Sequence, residues 1–107
     1  MKRKHSYKED LRIRLQTPKY AQGYLNAALK DAIEDGFIGG LMVAIRDVIE
    51  SQGSVTKFSK KFKSKSRTSL YKTLSEEGNP ELSTVLEIIK ALPFNLQFNS
   101  QGFRRAS

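Results

Sequence analysis

The segment Ser54–Pro80, SVTKFSKKFKSKSRTSLYKTLSEEGNP, is the most informative part of the chain. Apolar residues recur in it at intervals of three, four or eight positions, at Val55, Phe58, Phe62, Leu70 and Leu74. This spacing predicts two short helices joined by a polar turn, each with one narrow apolar stripe. The segment also holds seven Lys or Arg residues before its first acid, Glu76. A short helix pair with a basic exterior is typical of a helix-turn-helix that binds DNA.

The second of these helices is expected to present the side chains that read base edges. At 100° per residue, its outer face lies opposite Leu70 and Leu74. The base-contact candidates on or beside this face are Arg67, Thr68, Tyr71, Lys72 and Ser75. An arginine can donate two hydrogen bonds to guanine, and a threonine methyl group can contact thymine.

The first helix and the turn are expected to bind phosphates, which give affinity rather than sequence recognition. We expect Ser54 or Thr56 to cap this helix, which ends near Phe62, and Ser66 to cap the next one. The phosphate-contact candidates are Thr56, Lys57, Lys60, Lys61, Lys63, Lys65 and Ser66. A solvated, lysine-rich surface is the plain alternative, but the apolar spacing continues through the basic run.

The charge of the chain is concentrated in bands. The 107 residues carry a net charge of +8. Residues 54–73 hold seven basic and no acidic side chains, whereas residues 24–53 hold two basic and five acidic ones. A band of one sign predicts one surface for a polyanion, rather than a uniformly basic protein.

The composition argues against several other classes of function. The chain has no cysteine, and its single histidine, His5, lies in a basic N-terminal segment. Without a glycine-rich phosphate loop or a pair of carboxylates on strands, we expect no enzyme, no metal site and no cofactor. The acidic residues at 31–35 and 76–77 are expected to be solvated. No apolar run approaches the roughly 18 residues of a membrane span and no signal peptide is evident, so we expect a cytoplasmic protein.

The remaining segments predict three more helices between two short strands. Residues 17–34, 37–52 and 81–92 have apolar residues at helical spacing. Their expected inner residues are Tyr20, Tyr24, Leu25, Ala28, Leu29, Ala32, Phe37, Ile38, Leu41, Met42, Ile45, Val48, Ile49, Leu82, Val85, Leu86, Ile88, Ile89 and Leu92. Asp10–Gln16 and Phe94–Phe98 alternate in polarity and predict strands. Such strands need a partner, which could be each other, a second copy or another protein.

Four segments carry a family resemblance: GYLNAAL at 23–29, LMVAIRDV at 41–48, SRTSLYKTL at 66–74 and EGNPELSTVL at 77–86. Together they resemble the addiction-module antidote family, the HigA-like antitoxins with a lambda-repressor-type (XRE) helix-turn-helix. The resemblance covers about residues 10–98.

The expected fold is therefore mainly α, a five-helix lambda-repressor-like domain with short N- and C-terminal β-strands. We expect this domain to span residues 10–99, with the helix-turn-helix at about 54–75. A disordered basic N-terminus at 1–9 and a disordered tail at 100–107 are expected to flank it.

The resemblance implies the antitoxin of a type II toxin–antitoxin module. Such a protein would neutralise a RelE/HigB-like toxin, a ribosome-dependent endoribonuclease, and would repress its own operon by binding operator DNA. A homodimer is expected, because one helix-turn-helix covers only a half-site. The turn departs from the family pattern, since residues 62–67 (FKSKSR) lack the usual glycine and run one residue longer.

Two other functions fit the residues. One is a stand-alone helix-turn-helix regulator, such as one of phage origin, that has no toxin partner. The other is a protein-binding module whose basic face meets an acidic partner. Only the antitoxin and the stand-alone regulator predict a specific operator, and only the antitoxin predicts a toxin.

Overall fold

A computed structural model describes residues 7–62 and 66–93, which form six helices and contain no strand. The helices are α1 (Tyr7–Arg14), α2 (Pro18–Asp35), α3 (Gly39–Ser51), α4 (Val55–Ser59), α5 (Arg67–Thr73) and α6 (Leu82–Lys90). Helix α3 packs against α1, α2 and α4, while α4 also packs against α5. The mainly helical fold is confirmed, but with six helices in the described residues rather than five.

The additional helix is α1, and the strand predicted at Asp10–Gln16 is wrong. Leu11 and Leu15 are buried and one turn apart, and the Leu15 amide donates to the Leu11 carbonyl at 2.9 Å. Ile13, which a strand would bury with them, is 49% exposed. Acidic residues in the first turn and arginines in the last complement the helix dipole. Because α1 begins at Tyr7, the end of the segment expected to be disordered is helical.

Side-chain hydrogen bonds hold the end of α1 against the end of α3. The carbonyl oxygen of Leu15 accepts a 3.3 Å hydrogen bond from Gln52 Nε2. The buried hydroxyl of Ser51 lies 3.4 Å from the same oxygen and donates to the Val48 carbonyl at 2.6 Å. The end of α1 is thus held against the end of α3, which satisfies a carbonyl that the short helix leaves without a helical partner.

Helix α2 begins and ends where its sequence predicts. Thr17 has an extended backbone and Pro18 is the first helical residue. Gly36 ends the helix in the left-handed conformation, with φ of 71°, and its amide donates to Ala32 at 2.8 Å. Tyr20 is 41% exposed, so its predicted place in the core is wrong.

The core is centred on α3, whose predicted apolar stripe is confirmed except at Phe37. That residue precedes the helix and is 54% exposed. The buried apolar residues of the described chain are Leu11, Leu15, Ala21, Leu25, Leu41, Met42, Ala44, Ile45, Val48, Ile49, Val55, Phe58, Phe62, Leu70, Leu74, Val85, Ile88 and Leu92.

Helix α6 packs only part of its apolar surface against this core. Val85, Ile88 and Leu92 are buried, as the spacing predicts. Leu82 and Leu86 were expected to be inner residues, but they are 71% and 56% exposed. They lie one turn apart on a side of α6 that the described residues leave uncovered. The strand predicted at 94–98 lies outside the described residues, as do residues 1–6 and 100–107.

A basic face on helices α4 and α5

Two serine caps begin the short helices that carry the predicted DNA-binding residues. Ser54 Oγ accepts a 3.1 Å hydrogen bond from the Lys57 amide, and Ser66 Oγ accepts one of 3.1 Å from the Ser69 amide. The cap at Ser66 is confirmed, and of the two residues predicted as alternatives for the first cap, Ser54 and Thr56, the structure shows Ser54. A cap of this kind contributes about 1 kcal/mol to helix stability, which matters for helices this short.

Helix α5 is held by one side and exposes the other. Leu70 on α5 and Leu74, the residue directly after the helix, are fully buried. Four of the base-contact candidates lie on α5 and are exposed: Arg67, Thr68, Tyr71 and Lys72. The fifth, Ser75, follows the end of the helix, is half-buried, and donates to the Lys72 carbonyl at 2.8 Å. The structure therefore brings the first four together on one short helix.

The lysines of α4 and the residues after it are not equivalent. Lys57, Lys60 and Lys61 are all exposed. The ammonium group of Lys61, however, donates a 3.0 Å hydrogen bond to the Ala91 carbonyl, at the end of α6. It also lies 5.3 Å from the centre of the Phe58 ring, within cation–π range. Sequence reasoning placed Lys61 with the phosphate contacts and missed this structural bond.

The other phosphate-contact candidates have varied positions. Thr56 is exposed on α4, and its carbonyl accepts a 2.6 Å hydrogen bond from Ser59. Ser66 is exposed and uses its hydroxyl oxygen as the helix cap. Lys63 and Lys65 lie outside the described residues, together with the middle of the predicted turn.

Basic charge dominates α4 and α5. Their described residues and those that join them carry Lys57, Lys60, Lys61, Arg67 and Lys72 and no carboxylate. The first acids after α5 are in the turn at 76–77. We call the exposed surface of α4 and α5 the basic face, and its charge attracts a polyanion.

The remaining features of the described residues do not form a recognisable catalytic centre. A cavity of about 360 Å³ between α1 and α3 is lined by opposite charges, which include Lys8, Arg12, Asp47 and Glu50. Within residues 7–62 and 66–93, no group of three or more His, Cys, Asp or Glu is placed to hold a metal ion. No helix in those ranges is long and apolar enough to cross a membrane.

The sequence matches a protein family described as "Probable addiction module antidote protein" over residues 7–100. The chain belongs to this family of addiction-module antidotes. The family name describes an antidote rather than an enzyme, and it implies a toxin as the partner.

One relative of this antidote is a Haemophilus influenzae protein described as uncharacterized. The two chains are 54% identical over 41 residues, which cover 38% of this chain and 40% of the relative. No solved structure matches the antidote.

Proposed function

We propose that this antidote is the antitoxin of a type II toxin–antitoxin module. In this proposal it binds and neutralises a RelE/HigB-like toxin, and it represses its own operon by binding operator DNA through a helix-turn-helix made of α4 and α5. The family match over residues 7–100 is the observation that carries the antitoxin role.

The basic face supports the DNA-binding part of the proposal. Arg67 and Thr68 begin α5 and are exposed, which suits the first turn of a recognition helix in the major groove. Lys57 and Lys60 on and after α4 are exposed and suit phosphates. Two consecutive helices that pack together, with one fully buried leucine on α5, resemble the pair that a helix-turn-helix needs.

The exposed leucines of α6 support a homodimer. Leu82 and Leu86 present an apolar surface one turn long that the described residues leave uncovered. A second copy that packs there would place two basic faces on one duplex, as a palindromic operator requires. Changing both leucines to lysine should convert the dimer to a monomer in light scattering and weaken operator binding.

Neutralisation is tested by growth. The small reading frame beside the antidote gene is expressed alone and together with the antidote in a host that lacks both. The proposal expects arrest of growth and of translation with the neighbour alone, and recovery when the antidote is present. Growth that the neighbour does not impair would remove the toxin from the proposal.

Repression is tested by footprinting the purified antidote on DNA from upstream of its own gene. The expected result is a protected site with two half-sites one helical turn, or a multiple of a turn, apart. A footprint without a toxic neighbour would favour the stand-alone regulator. Rescue of growth without a footprint would leave only neutralisation.

A further inference from the structure

A small groove with an apolar floor and an acidic edge lies between α2 and α3, away from the helices of the basic face. It measures about 200 Å³, and its lining includes Ala28, Asp31, Ala32, Asp35, Phe37 and Leu41. The two alanines belong to α2 and are partly buried, whereas Phe37 lies between α2 and α3 and is 54% exposed. We call this feature the α2–α3 groove.

The two aspartates give the groove its charge. Asp31 and Asp35 are one helical turn apart, so they lie on the same side of α2. Both are exposed, and neither has a hydrogen-bond or ion-pair partner among residues 7–62 and 66–93. They belong to the acidic band at residues 24–53 of a chain with a net charge of +8. Negative charge is therefore concentrated at this groove, although the protein as a whole is basic.

We infer that the α2–α3 groove is the docking site for a lysine or arginine side chain of the toxin, an inference that rests on the proposed function. The alanines and Phe37 would contact the aliphatic part of such a side chain. The aspartates would bind its charged end, and the exposed ring of Phe37 adds a face for a cation. All three kinds of contact select a long basic side chain and disfavour an acidic or purely apolar one.

The size and charge of the groove favour a protein partner. Pockets that hold drug-sized ligands measure roughly 300–1,000 Å³, so this groove suits one inserted side chain better than a whole small molecule. An enzyme that cleaves RNA needs cationic side chains to hold phosphates. A toxin of that class therefore carries the side chains that this groove fits, and docking here would occupy some of them.

The position of the groove lets the antidote bind DNA and toxin through different helices. The groove is formed by α2 and the start of α3, whereas the basic face belongs to α4 and α5. Helix α3 packs against both α2 and α4. Charge reversal in the groove is consequently expected to weaken toxin binding and leave operator binding intact.

The inference is tested by the affinity of the purified antidote for the protein encoded by the neighbouring reading frame, measured by calorimetry. The test variant is Asp31→Lys with Asp35→Lys. Its control is Asp10→Lys with Glu87→Lys, which makes the same change in net charge at exposed positions on α1 and α6. Circular dichroism checks that both variants are folded, and Phe37→Ala provides a second test without a change of charge.

The groove variant is expected to bind at least about 30-fold more weakly than the unmodified antidote, as for a binding hot spot. Phe37→Ala should also weaken binding, while the control pair stays within about threefold of the unmodified antidote. Tight binding by both groove variants would overturn the inference and leave the antitoxin proposal in place. If the unmodified antidote does not bind the neighbour, the antitoxin proposal fails and the inference fails with it.

Discussion

The ammonium group of Lys61 donates a 3.0 Å hydrogen bond to the carbonyl oxygen of Ala91, thirty residues further along the chain. This bond joins the end of α4 to the end of α6, and the ring of Phe58 lies beneath the same ammonium group at 5.3 Å. Lys60 and Lys61 are both exposed to solvent, but only the ammonium group of Lys61 makes these contacts among the described residues. Two adjacent lysines in one basic run therefore differ in what they contact.

Lys60→Ala and Lys61→Ala are expected to have different effects on DNA binding. Loss of a phosphate contact reduces the salt dependence, so Lys60→Ala should lower the slope of log K against log salt by about 1. Lys61→Ala should leave that slope nearly unchanged and lower the free energy of unfolding by about 0.5–1 kcal/mol. Binding titrations at several salt concentrations and urea unfolding measure the two effects. Equal slopes for both variants would contradict the structural role of Lys61.

The adjacent glycines of α3 are expected to respond in opposite directions to alanine. A Cβ atom at Gly39 would overlap the Glu76 carbonyl and the Phe37 ring, whereas one at Gly40 meets nothing within 4 Å. Gly39→Ala should therefore destabilise the fold by about 1–3 kcal/mol, because a main-chain carbonyl has to move. Gly40→Ala should stabilise it by about 0.5–1 kcal/mol through the entropy of the unfolded chain. Urea unfolding of the pair measures both effects, and a Gly39→Ala variant as stable as Gly40→Ala would contradict the close approach of the Glu76 carbonyl to Gly39.

The hydrogen bond between Tyr24 of α2 and Asp47 of α3 is expected to make the stability of the fold depend on pH. Tyr24 donates to Asp47 Oδ2 at 2.8 Å, and burial and this carboxylate raise the pKa of the tyrosine above its usual value. The unfolded chain therefore loses the tyrosine proton first, so the stabilisation is complete below about pH 10 and declines as the pH rises further.

Tyr24→Phe should lower the free energy of unfolding by about 1–2 kcal/mol at neutral pH. The difference from the unmodified antidote should shrink between about pH 10 and pH 11, because Tyr24 then ionises in the unfolded chain and stabilises that state, whereas the phenylalanine of the variant cannot ionise. Urea midpoints from pH 7 to pH 11 measure this. A difference that stays constant over that range would mean that the bond does not control the titration of Tyr24.

Arg67→Ala is expected to weaken operator binding through the loss of recognition at one base pair. If Arg67 binds a guanine with two hydrogen bonds, its loss costs about 1–3 kcal/mol on the operator and little on random duplex. Lys60→Ala is the matched control, since loss of a phosphate contact weakens binding to both duplexes alike. Arg67→Ala losses that are equal on both duplexes would remove Arg67 from base recognition.

Local sequence pattern predicts the helices correctly where one face of a helix packs against the core. The stripe of α3, the caps at Ser54 and Ser66, and the end of α2 at Gly36 follow from spacing and residue type. The segment at Leu11–Leu15 was misread because its apolar residues fit both a strand and one turn of a helix. Contact with α3 selects the helix and leaves Ile13 exposed.

Tertiary contacts explain what the pattern missed at the candidate surfaces. The Lys61–Ala91 bond joins segments thirty residues apart, so no local spacing could indicate it. Leu82 and Phe37 fit their helical stripes in sequence, yet the neighbouring helices leave them exposed. The exposed positions of Arg67 and Lys72 do agree with the spacing of Leu70 and Leu74, because burial of the leucines orients the whole helix.

The most direct test of operator repression is the affinity of the purified antidote for DNA from upstream of its own gene. The same measurement on a scrambled duplex of equal length, at about 150 mM salt, gives the specificity. The account predicts that the upstream duplex binds at least roughly 10³-fold more tightly, as specific regulators do. Equal affinities that fall together as salt is added would contradict it, since the basic face would then bind phosphates without reading sequence.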